Sequence, residues 1–141
     1  MTRKLGVMIA AVVFWASVAG AAVAPKSDET LQEMADLIVV GKVTKVTSKL
    51  ELKGFGTEGN RIFRIETSVL EVIKGESSKV GETIDVEAWR PSFRLLPAPG
   101  PQGHSDVAKA GDTVTLYLTK HSSGVYGAIM PNGIKPGKPK K

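Results

Sequence analysis

The sequence predicts an all-β domain: five strands forming a small, partly open barrel, led in by a short helix. Two patterns carry this. Segments rich in Val, Ile and Thr alternate apolar and polar residues with a period of two. Glycine and proline cluster between those segments and punctuate them. The size agrees, because a barrel of about 100 residues supports one modest core and no second domain.

The elements follow in chain order. Thr30 and Glu33 have capping-box spacing, and Asp28 and Glu29 favour a helix start. The pattern predicts one or two helical turns with Leu31, Met34 and Ala35 towards the core. Asp36–Ser48 is rich in β-branched residues. Val39, Gly41 and Val43 share a face, and the phase slips by one to reach Val46, which predicts a bulge near Gly41. Leu50–Asn60, with Gly54, Gly56 and Gly59, reads as a hairpin loop. Arg61–Leu70 is a second strand with Phe63, Ile65 and Val69 inward, and Val69–Gly75 changes phase before a turn. Thr83–Trp89 puts Ile84, Val86 and Ala88 inward and Trp89 outward. Pro91, Pro97, Pro99 and Pro101 then predict a long loop. Thr113–Thr119 puts Val114, Leu116 and Leu118 inward, and Val125–Met130 is the fifth strand.

The two ends of the chain differ from its middle. Arg3 and Lys4 precede an apolar run from Leu5 to Trp15 and then a small-residue stretch, the pattern of an export signal. Pro25 disfavours a cut after Ala24, so cleavage is expected between Ala21 and Ala22. The alternative is a retained anchor, because about 20 apolar residues suffice to span a bilayer. Residues 1–21 are thus expected as signal peptide, 22–30 as leader, 31–134 as barrel and 135–141 as a basic disordered tail. A periplasmic or extracellular location follows, with no stable membrane span after cleavage. Without cysteine, neither disulfides nor thiolate metal sites can form.

The formal charge of +5 belongs to those ends. Arg3 and Lys4 lie in the signal, and Lys135, Lys138, Lys140 and Lys141 lie in the tail. Of 19 basic residues, the 13 that remain face 14 acidic ones. A nearly neutral domain lacks the clustered cations of a nucleic-acid face, so no nucleic acid is expected as a partner.

Three pieces occur together: Ala35–Val43, Val69–Gly75 after a Phe-x-Ile strand, and Gly111–Leu118 followed by a Gly-x-Tyr hairpin. In this order they resemble the oligonucleotide/oligosaccharide-binding (OB) barrel of netrin-like modules and tissue inhibitors of metalloproteinases. The resemblance is closer to their cysteine-free bacterial relatives, small exported proteins of unassigned function, and it spans roughly Met34 to Met130. It implies a five-stranded OB-like barrel. The animal inhibitors grip zinc through an N-terminal cysteine. No residue here inherits that role, so metalloproteinase inhibition is not carried over.

Trp89, Arg90, Phe93 and Arg94 form the leading candidate site, in the segment Trp89–Leu96. Aromatic faces with arginine forks can stack on a sugar ring or a partner's aromatic residue. The competing reading is a lid over an open barrel end, with the arginines at its rim. His104, Asp106 and His121 could bind a divalent metal if they converged; solvated loop residues are the plainer account. The serines lie in turns, with no nucleophile elbow and no Cys/His pair. Gly54-x-Gly56-x-x-Gly59 mimics a dinucleotide fingerprint without its βαβ setting. The sequence therefore predicts a monomeric, non-catalytic envelope binding module without a cofactor, whose partner is an envelope protein or a polysaccharide. The alternatives are a metal-dependent hydrolase-like enzyme using His104, Asp106 and His121, and an inhibitor or assembly factor acting on a partner protein.

Overall fold

The structure is a computed structural model that describes residues 24–95, 102–121 and 124–139. The signal expected at 1–21 lies outside the described residues. A helix, α1 (Asp28–Met34), precedes six strands: β1 (Leu37–Lys53), β2 (Glu58–Lys74), β3 (Thr83–Arg94), β4 (Thr113–Lys120), β5 (Tyr126–Ala128) and β6 (Ile134–Pro136).

The strands run β1–β2–β3–β5–β4, and β1 pairs again with β4, so the sheet closes into a five-strand, OB-like barrel. All pairings are antiparallel except β3 with β5. That parallel seam is short: Val86 pairs with Tyr126 and Glu87 with Gly127. β5 and β6 sit in tandem along one edge of β4, opposite its residues 118–120 and 114–116.

Val39, Val43, Ile65, Val86, Leu116 and Leu118 meet inside the barrel. Val107 and Ala108 join them from the connection between β3 and β4. A second cluster lies outside, where Leu31 of α1 and its C-cap residue Ala35 cover Ile38, Tyr117 and Ile129. Burying Leu31 completely contributes about 2 kcal/mol. This covering explains why Ile38 is buried although its neighbours Leu37 and Val39 point into the barrel.

Several sequence expectations shift. Ser27, one turn ahead of the predicted box, caps α1: its hydroxyl accepts from Thr30 N–H at 3.2 Å. The helix thus straddles the boundary drawn between leader and barrel. Met34, expected in the core, is exposed. β1 carries three register shifts against β2 where one was predicted, and one of them falls at Gly41. No Cβ fits there, because it would strike the Thr67 methyl and approach Ser68 O to 2.9 Å. The predicted tail also begins too early: Lys135 and Pro136 pair with β4, and Gly137 N–H donates to Thr113 O.

The largest difference is in length. β1 and β2 run unbroken to a turn at residues 54–57, so most of the predicted 50–60 loop is strand. Likewise β3 continues through Pro91 to Arg94, with a register shift opposite Gly59 and Asn60, so the predicted Trp89–Leu96 loop is strand as far as Arg94. Prolines occur in strands at such bulges. β4 accompanies β1 only over Leu37–Lys42. Beyond it, the far parts of β1, β2 and β3 form a three-stranded arm.

Candidate functional site

Register decides which side of the arm each residue occupies, because directly paired residues share a face. Val46, Ile65 and Val86 pair in the barrel interior. Along the arm the same face carries Ser48 with Phe63 and Ala88, Leu50 with Arg61 and Arg90, and Leu52 with Gly59 and Phe93. The Phe93 ring lies over Gly59, where no Cβ would fit. The opposite face carries Lys49, Ile62 and Trp89, and further out Asn60 and Arg94. The four residues predicted as one site therefore divide, Arg90 and Phe93 on the inner face and Trp89 and Arg94 on the outer.

Internal bonds occupy the outer pair. Arg94 donates to Asn60 Oδ1 at 2.6 Å, to Gly59 O at 3.0 Å and to Gln102 Oε1 at 3.3 Å. It ties the buried Asn60 to the returning chain. Trp89 N–H donates to His104 Nδ1 at 3.0 Å, and His104 N–H donates to Trp89 O at 2.8 Å. Since Nδ1 accepts, Nε2 carries the hydrogen and donates to Ala128 O at 2.7 Å. The buried His104 ring thereby joins β3 to β5 beyond their two ladder pairs.

The inner face of the arm is open. Leu50 is 46%, Leu52 58% and Phe93 38% exposed. At the tip, Phe55 adopts a left-handed φ of 55° between two positive-φ glycines, and its ring is fully exposed. A side chain in that conformation costs about 1 kcal/mol. Arg61 reaches Ser48 Oγ at 3.2 Å, and Arg90 is exposed. No Asp or Glu lies on this face of the paired arm residues. The acidic residues of the nearby sheet lie on the other side, where Arg64 meets Glu87 at 3.6 Å and Asp85 at 3.9 Å.

The predicted metal triad does not assemble. His104 spends both ring nitrogens on the fold. Asp106 is exposed and borders a cleft of ≈ 500 Å³ with Asp28, Tyr117, Asn132 and Lys135. His121 borders another, of ≈ 400 Å³, on the outer side of the β3–β5 seam. Among the described residues no three His, Cys, Asp or Glu side chains come together. In the first cleft, burial pushes the Tyr117 hydroxyl above its ordinary pKa; Asp28 raises it further and Lys135 partly offsets this.

Sequence reading missed Leu50, Leu52 and Phe55 because three glycines made their segment look like loop, and it placed Arg61 at the start of a strand without a partner across the sheet. The signal was present: Val46, Ser48, Leu50 and Leu52 continue one period-two register. No family model, curated protein or solved structure matches the chain.

Proposed function

We propose that the protein is an exported, non-catalytic binding module that docks a protein of the cell envelope on the inner face of its arm. The observation that carries this reading is the register itself. It lines Leu50, Leu52 and Phe93 beside Arg61 and Arg90, with no carboxylate among them. Exposed apolar residues gathered on a rigid surface mark interaction sites. Two cations on that surface favour a docking segment that is apolar and acidic. Phe55, held at the tip at a conformational cost, extends the surface.

A protein partner fits better than a polysaccharide. Sugar rings stack on aromatic faces, and Trp89 and Phe93 point to opposite sides of β3. What remains on the inner face is mainly aliphatic. Export rests on the basic start, apolar run and small-residue end of residues 1–21. The resemblance to cysteine-free relatives of the netrin-like barrel agrees with a small envelope protein.

Neighbouring residues on opposite faces supply the test. A photo-crosslinking side chain placed at Leu52 should give one dominant protein adduct in the envelope, and one placed at Glu51 should not. Arg61→Glu with Arg90→Glu should remove the adduct while leaving the melting temperature unchanged. Equal labelling from both faces, or an adduct that survives charge reversal, would overturn the reading. A glycan adduct at Leu52 would favour the polysaccharide.

A further inference from the structure

The cleft beside the β3–β5 seam gathers one kind of chemistry from the whole chain. The sequence has four methionines, two histidines and two tryptophans. Met1, Met8 and Trp15 fall within residues 1–21. The other five, Met34, Trp89, His104, His121 and Met130, all border this one cleft. They come from the end of α1, from β3, from the β3–β4 connection, from the residue after β4 and from the turn after β5. Neither methionine is core filling: Met34 is 48% and Met130 38% exposed.

The site is partly fixed in place. Trp89 Nε1–H donates to Met130 Sδ at 3.1 Å, which uses one sulfur lone pair and leaves the other. Lys26 Nζ donates to Met130 O at 2.5 Å, and Asn132 holds the Lys26 backbone from both sides, N–H to Oδ1 at 2.9 Å and Nδ2 to O at 2.7 Å. The exposed His121 ring rests on Gly127, which leaves no room for a Cβ beneath it. Both ring nitrogens of His104 are already engaged, so it supports the wall and is no ligand.

We propose that this cleft binds a single soft monovalent cation, Cu(I) or its congener Ag(I), through the thioethers of Met34 and Met130 and the imidazole of His121. Thioether and imidazole donors are neutral and polarizable, and that combination selects soft d10 ions. Hard cations such as Ca²⁺ and Mg²⁺ need several oxygen ligands, and Glu87 is the lone carboxylate on the cleft wall. Its charge is already paired with Arg64 at 3.6 Å and the Lys26 ammonium borders the same cleft, so the ion is held by neutral donors alone, which disfavours a divalent charge. The indole of Trp89 borders the same space and adds a cation–π contribution. This inference is independent of the proposed docking surface, because none of Leu50, Leu52, Arg61, Arg90 and Phe93 borders the cleft.

Silver(I) is the probe, being diamagnetic and stable in air. The protein is purified after expression of the full chain and its methionine methyls are labelled with ¹³C. One equivalent of Ag(I) should shift the Met34 and Met130 methyl resonances, quench Trp89 emission and raise the melting temperature. Met34→Leu with Met130→Leu should keep the fold and weaken binding by roughly tenfold or more. His121→Ala should weaken it as well, and Leu52→Ser should not. Unmoved methyl resonances, undiminished affinity in the double Leu variant, or displacement of silver by equimolar Zn²⁺ would overturn the proposal.

Discussion

The two faces of β3 beyond the barrel are built for opposite ends. On the outer face, Trp89 and Arg94 are tied to His104, Met130, Asn60 and Gln102. On the inner face, Arg90 and Phe93 belong to an open apolar surface. The residues alternate along one strand and include an arginine and an aromatic on each side. Their chemistry is the same, and their role is set by what the returning chain reaches. Composition alone does not distinguish a clamped residue from an open one; register does.

His104→Ala should give the largest break in this contrast. It strands Trp89 N–H and Ala128 O at the shortest seam of the barrel. A loss of about 2–3 kcal/mol is expected in denaturant unfolding, since each buried orphan group costs about 1–3 kcal/mol. An effect below the error of the titration would show that the ring does not hold the seam.

The two arginines sharpen the comparison next. Arg94→Ala should cost about 1–2 kcal/mol by leaving the buried Asn60 unpaired. Arg90→Ala should stay within about 0.5 kcal/mol, as surface changes do. Equal losses in parallel melts would erase the distinction between faces.

The smallest effect concerns the other cleft. Tyr117 stays protonated in the fold above its ordinary pKa of 10.0. An unfolded chain ionises there first, so this contribution is complete below that pH and declines as the pH rises past it. Tyr117→Phe should flatten the alkaline decline of stability. An unchanged profile would assign the decline to other groups.

Much of this was legible in the sequence. Inward alternation at Ile84, Val86 and Ala88, and at Val114, Leu116 and Leu118, placed the barrel wall correctly, and Trp89 fell on the outward side as expected. The candidate site was harder to read for a specific reason. Glycine at 54 and 56 serves the turn, but Gly59 is a strand residue that makes room for the Phe93 ring. Pro91 looked like a strand's end, yet a bulge carries β3 past it. Both residues signal loop by type and serve a strand here because of their cross-strand partners. The burial of His104 had no local signal, because its two partners lie 15 and 24 residues away in sequence.

Closure of the barrel depends on Leu37 meeting Leu118 and Lys42 meeting Thr113. During synthesis the apolar run at the start of β1 therefore has no β4 to lie against until most of the chain has emerged. Such long-range pairing delays folding. The topology thus keeps the chain extended until late in synthesis, which is the state that the proposed export would require.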